Sequence, residues 1–180
     1  MIKDLKHTIN QCKQGQRVAQ KALFSAYNGF LFSICMKYMR NRHQAEEVLQ
    51  DAWIEIFNGL ERYQDQGKFE GWIKTIAVRK AWRTISKNKP SIDLEYAKHI
   101  PEGQSETKIF DQMACEEILN TLEEIPAGSR EVFKMYVLDG YTHEEIASIM
   151  GISNSTSRAH LSRARKLLTK KHNHMNQIFS

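Results

Sequence analysis

The chain has 180 residues, enough for one ordinary domain or two small ones, each burying a modest core. Its composition is that of a globular protein, no apolar run is long enough to cross a bilayer, and Lys3, Asp4, Lys6 and His7 interrupt any signal peptide, so a cytoplasmic protein without membrane insertion is expected. The net charge of +5 is mild, but every charged residue from Arg158 onward is basic, which favours a polyanionic partner for the C-terminal part.

Ile2, Leu5, Ile9 and Cys12 recur at helical spacing and predict a short amphipathic helix that Gly15 ends. A longer helix follows, with Leu23, Tyr27, Phe30, Leu31, Ile34 and Tyr38 as its buried stripe and Asn41 as its stop. The third, from about His43 to Leu60, turns Ala45, Val48, Leu49, Ala52, Ile56 and Leu60 inward. Its second stripe holds Glu47, Asp51, Ile54, Glu55 and Asn58, an acidic face with an apolar residue in its middle. That stripe reads either as an ordinary solvated face or as a docking face for a basic protein surface.

The polar loop ERYQDQGKFEG, 61–71, leads into a helix from about Trp72 to Lys87. Phe69, Ile73, Ile76, Ala77 and Ala81 line its inner side; Thr75, Arg79, Trp82 and Ser86 fall opposite, flanked by Arg83. An aromatic ring among cations suits unpaired nucleic acid, where bases stack and phosphates need neutralising; the alternative is that Trp82 packs on a neighbouring element. Trp72, beside Phe69, is expected in the core.

From Asn88 to about Lys108 the periodicity lapses, with Pro90, Pro101, Gly103 and Ser105 as breakers and Asp93, Glu95, Glu102 and Glu106 making the stretch acidic. This predicts a domain at 1–88, a linker at 89–109 and a second domain at 110–180. Phe110, Ala114, Ile118, Thr121, Leu122 and Ile125 then mark a helix. Pro126 starts another, with Val132, Phe133, Tyr136 and Val137 as its stripe and Gly140 as its stop.

Thr142 and Glu145 have the spacing of a capping box, Ile146, Ala147, Ile149 and Met150 supply an inward face, Gly151 permits a left-handed turn, and Ser153 can cap the next helix. Along that helix Ser157, Leu161, Ala164 and Leu168 share one face. Ser155, Arg158, Ser162 and Arg165 share another, flanked by Ala159, Arg163, Lys166 and Lys170. Helix, tight turn and basic helix form a helix-turn-helix whose second helix suits the major groove; a solvated amphipathic helix closing a bundle is the alternative. His143 and His160 are expected on exposed faces, and His172 with His174 make no metal site. Cys12, Cys35 and Cys115, odd in number and far apart, read as buried reduced thiols. No nucleophile, metal set or acid-base pair is assembled, so no catalytic residue, metal or cofactor is expected. With no convincing strand, the fold class is all-α: two small helical domains joined by a flexible linker, the second a four-helix unit.

Read together, AEEVLQDAWIEIF (45–57), FEGWIKTIA (69–77), IPAGSREVF (125–133), GYTHEEIASIMGIS (140–153) and HLSRARKLL (160–168) resemble the extracytoplasmic-function sigma factors, small two-domain transcription initiation subunits of bacteria. The resemblance spans Leu23 to Leu168 with both domains in order. It implies an alternative sigma factor that binds core RNA polymerase, at the clamp helices of the largest subunit and the flap of the second largest, and binds promoter DNA. An anti-sigma factor is a further implied partner. It implies polymerase docking through Glu47, Gln50, Asp51 and Ile54. Arg62, Tyr63, Lys68, Arg79, Trp82, Arg83 and Ser86 become minus-ten contacts, with the loop 62–68 receiving a flipped-out base. Ser155, Thr156, Arg158, Ala159, Ser162, Arg163 and Lys166 become minus-thirty-five contacts. The chain departs from the family at Arg79, Arg83 and Ser86, at Ser155, Thr156 and Ser157, and at His160, where an arginine is usual and phosphate binding should weaken. Ser157, on the core stripe, must bond a backbone carbonyl or leave that face thinly packed. The rival reading is a LuxR-type regulator, whose first domain would be a sensor or dimerisation unit. A site-specific recombinase, a third possibility, lacks its Ser-plus-Arg catalytic set here.

Overall fold

The computed structural model describes residues 4–64, 68–87, 121–122 and 124–178, the last seven of these by backbone course alone. The expectations for Ile2, for the linker, for Phe110, Ala114 and Ile118, for Cys115 and for the side chains of His172 and His174 lie outside the described residues, whereas Thr121, Leu122 and Ile125 are buried as expected. The chain forms two compact units, 1–88 and 89–180, all of whose described regular elements are helical.

In the first unit α1 (Leu5–Lys13) starts at Asp4, whose side chain accepts the His7 amide at 2.9 Å. Helix α2 (Arg17–Tyr38) buries Ala19, Leu23, Leu31, Ile34, Cys35 and Tyr38. Phe30, expected inside, is exposed because it sits at the edge of that buried sector, and Tyr27 is half-buried with its ring edge-on to Phe69. Asn41 is an N-cap, its side chain accepting the Gln44 amide at 2.9 Å, rather than a mere stop. Helix α3 (Arg42–Gly59) and the following 3-10 turn (Leu60–Arg62) bury all six residues predicted to face inward. Trp53 joins them, stacked on Phe57 and donating from Nε1 to Asn28 at 3.1 Å.

Helix α4 (Phe69–Lys87) begins three residues before the predicted start and buries the five expected residues plus Val78. It packs on both α2 and α3, so its buried arc is wider than a single stripe. Trp82 falls inside that arc at 4% exposure, which corrects the expectation of an exposed ring. Trp82→Ala should therefore destabilise the first unit by about 3–5 kcal/mol, the range for emptying an aromatic core site. Denaturant unfolding of the full chain, followed by the fluorescence of Trp53 and Trp72, checks this; an unshifted midpoint would restore the surface reading.

Burial holds the Cys35 thiol up at about 12 and raises that of Cys12, consistent with inert reduced thiols.

In the second unit α5 (Ala127–Phe133) is buried along its length and runs into a π-turn (Lys134–Leu138), where Asp139 N–H bonds the Lys134 carbonyl at 3.0 Å. The extra residue in that turn rotates the predicted stripe. Met135 is fully buried, whereas Tyr136 and Val137, expected inside, are 37% and 44% exposed. Glu131 is buried, with Arg130 Nε donating to it at 2.9 Å and Lys134 Nζ an ion-pair partner 3.8 Å away, a buried charge cluster that the helical stripe of this segment does not foresee. Helix α6 (His143–Met150) and α7 (Asn154–Ile178) complete the unit, α7 packing on α5 and on α6.

Candidate functional site

The helix-turn-helix is built as its sequence dictates. Thr142 Oγ1 accepts the Glu145 amide at 3.2 Å, and Glu145 accepts the Thr142 amide at 2.8 Å. Gly151 ends α6 at φ +70°, a conformation that costs a β-carbon-bearing residue energy. Ser153 Oγ then accepts the Thr156 amide at 3.0 Å and shares hydrogen bonds with the Ser155 and Thr156 hydroxyls, giving α7 a hydroxyl-rich N-terminus.

On α7 the predicted core stripe of Ser157, Leu161, Ala164 and Leu168 is buried. Ser155, Arg158 and Lys166 are exposed, and Thr156, Ala159, Ser162 and Arg163 half-buried beside them. Arg158 Nε donates to Asn154 Oδ1 at 3.0 Å, which fixes the direction of its long side chain.

Both histidines depart from expectation, and the reason is the same. His143 Nδ1 shares a 2.9 Å hydrogen bond with Ser157 Oγ while its ring stacks on Tyr136 at 4.5 Å. Ser157 is thus satisfied by a side chain across the turn, not by a carbonyl of its own helix. His160 Nδ1 shares a 3.1 Å hydrogen bond with Ser129 Oγ, and a Cβ on Gly128 would lie 3.0 Å from its ring, so Gly128 permits the close approach. His160 fastens α7 to α5.

Burial first, then Arg158 and Arg165, lower the pKa of His143; burial first, then Arg163, lowers that of His160. A base whose pKa falls on folding leaves the unfolded chain to take up the proton first, so this stability is complete above pH 6.5 and is lost as pH drops through the lowered folded values. Amide-exchange protection in α6 and α7, corrected for intrinsic rate, should fall as pH drops below 6.5. His143→Gln combined with His160→Gln should flatten that profile, and an unchanged slope in the double variant would refute the assignment.

The first unit carries two separate surfaces. On α3, Glu47, Gln50, Asp51 and Ile54 are exposed, Ile54 at 61%. His43 lies 3.6 Å from Glu47. Glu55 leaves the acidic stripe, because Lys80 of α4 pairs with it at 2.8 Å. On α4 and the approach to it, Arg62, Lys68 and Arg83 are exposed, Arg79 and Ser86 half-buried, and Ser86 Oγ donates to the Arg83 carbonyl at 3.1 Å. Arg79, Arg83 and Ser86 share one face by their spacing. Two residues expected with them are not presented. Trp82 is in the core, and Tyr63, 8% exposed, packs on Phe69 at 5.4 Å and Trp72 at 4.8 Å. Residues 65–67 of the loop lie outside the described residues.

Two family models match this chain: sigma-70 region 2 over residues 23–90 and sigma-70 region 4 over residues 115–168. The chain belongs to the sigma-70 family. Curated relatives that match it over nine-tenths of its length are of the extracytoplasmic-function class. It is 25% identical over 183 residues to the ECF RNA polymerase sigma factor SigW of Bacillus subtilis, covering 92% of this chain and 95% of that one. It is 26% identical over 175 residues to the ECF RNA polymerase sigma-E factor of Escherichia coli K12, covering 91% of each. Two solved structures share its fold. One is CnrH in complex with the cytosolic domain of CnrY, at 18% identity, TM-score 0.56 and coverage of 92% of this chain and 95% of that one. The other is the sigma factor RpoE of Bartonella quintana in complex with the anti-sigma factor NepR, at 19% identity, TM-score 0.51 and coverage of 83% and 94%. The function is therefore that of an alternative sigma factor, and a region 2 match stands where a LuxR-type regulator would need its sensor. Among the described residues no helix is long and apolar enough to cross a membrane.

Proposed function

We propose that this sigma factor divides its work between its units. The first, 1–88, grips core RNA polymerase through Glu47, Gln50, Asp51 and Ile54 on the clamp helices of the largest subunit. It also captures the unpaired minus-ten strand with Arg62, Lys68, Arg79, Arg83 and Ser86. The second, 110–180, reads the minus-thirty-five duplex with Ser155, Thr156, Arg158, Ala159, Ser162, Arg163 and Lys166 and rests on the flap of the second largest subunit, with 89–109 as the linker between them. Tyr63 and Trp82 contribute by shaping the surface that carries their neighbours.

The observation that carries this reading is Ile54, a large apolar side chain 61% exposed between acidic neighbours on a helix whose other side is fully packed. An apolar centre with a charged rim is the anatomy of a protein interface. The chain acts in the cytoplasm as a binding subunit and catalyses no step itself. An anti-sigma protein is its natural antagonist, as the complexes formed by its structural relatives suggest.

Start-specific run-off transcription tests the proposal. Purified chain added to core polymerase should yield a discrete transcript from a promoter that core alone ignores. Duplex binding by the chain with no transcript would overturn it in favour of a conventional repressor or activator.

A further inference from the structure

Helix α1 lies outside the residues matched by the region 2 model, which begin at residue 23. It is nonetheless built into the first unit: Ile9 and Cys12 are buried, and α1 packs on the 3-10 turn that ends at Arg62. Its last residue, Lys13, donates from Nζ to the carbonyl oxygen of Tyr63 at 2.8 Å, a partly buried bond between residues fifty apart in sequence.

That bond adds a third tie at Tyr63. The Tyr63 amide already bonds the carbonyls of Gly59 and Leu60, each at 3.1 Å. The ring is held by Phe69 and Trp72. With amide, carbonyl and ring all fixed, the backbone on either side of Tyr63 has one course, and Arg62 leaves the turn in one direction. An ammonium donor makes a stronger tie than a neutral one, so the carbonyl is the best held of the three.

We infer that Lys13 is a positioning residue for minus-ten recognition: by holding the Tyr63 carbonyl it aims Arg62 at the DNA. This rests on the reading above that Arg62 contacts the minus-ten element. Lys13→Met keeps the length of the stem and removes the donor; Lys13→Arg keeps a cationic donor.

The test uses full-length chain assembled with core polymerase, on promoters substituted singly across the minus-ten element. The readout is the ratio of transcription from the preferred to the disfavoured base at the position that Arg62→Ala desensitises. Because both promoters see the same preparation, the ratio does not depend on the folded fraction. Native holoenzyme should discriminate there by roughly tenfold, within the usual range for one base pair. Lys13→Met should bring the ratio below about threefold, with minus-thirty-five preference unchanged, and Lys13→Arg should restore it. Native discrimination by Lys13→Met, even with a lowered melting temperature, would reduce Lys13 to a structural residue and overturn the inference while Arg62 kept its role. Should Arg62→Ala leave discrimination intact at every minus-ten position, the Arg62 reading fails and the inference with it.

Discussion

Replacing Asp51 by arginine is expected to weaken binding to core polymerase by roughly a hundredfold, with a slower, less salt-dependent association. Asp51 is exposed on α3 one turn from Glu47 and beside Ile54, while the opposite side of the helix, Ala45, Val48, Leu49, Ala52 and Ile56, is closed in the core. The substitution therefore leaves the fold alone and places a like charge against a basic partner. Ile54→Ala at the centre of the face should also weaken binding, and Glu46→Ala much less, since Glu46 is already engaged by Arg42 at 2.7 Å. Competition against a labelled sigma factor for core polymerase measures all three. Equal affinities for Asp51→Arg and the native chain would remove α3 from the interface.

Arg158→Ala should cost about 1–3 kcal/mol in promoter affinity, confined to one base pair of the minus-thirty-five element. Its tether to Asn154 restricts the rotamers of a long side chain in advance, so less entropy is lost when a base edge is met. Lys166→Ala, exposed two turns further along α7, should weaken all promoters alike and lower the salt dependence, as loss of a phosphate contact does. Holoenzyme binding to duplexes with each minus-thirty-five position varied separates the two patterns. A uniform loss for Arg158→Ala would reassign it to the backbone.

What the sequence made legible is what depends on one-sided packing and local capping. Helix α3 and the turn after it bury all six residues expected to face inward, with Trp53 beside them; α7 likewise buries Ser157, Leu161, Ala164 and Leu168. The Thr142 and Glu145 box is readable because both partners lie within one turn. Where packing is two-sided or the helix irregular, the pattern is silent. For Trp82 periodicity leaves burial open, because it allots a helix one buried side and α4 has neighbours on two. Tyr136 and Val137 fall inside by periodicity and outside in the structure because the π-turn at Lys134 adds a residue that no 3.6-residue period contains.

The site chemistry missed by pattern is long-range. His143 with Ser157, His160 with Ser129, Lys80 with Glu55, and Lys13 with the Tyr63 carbonyl join residues from 14 to 50 positions apart. No spacing rule announces such pairs. For His160 a signal exists: a histidine where the resemblance implies arginine, with the small residues Gly128 and Ser129 on α5 to receive it.

Permanganate probing of unpaired thymines on a promoter selected by the holoenzyme tests the division of labour most directly. Reactive thymines should appear in the minus-ten region only when chain and core polymerase are both present, and should vanish with Asp51→Arg. Reactivity with the chain or core polymerase alone, or none with both together, would contradict it.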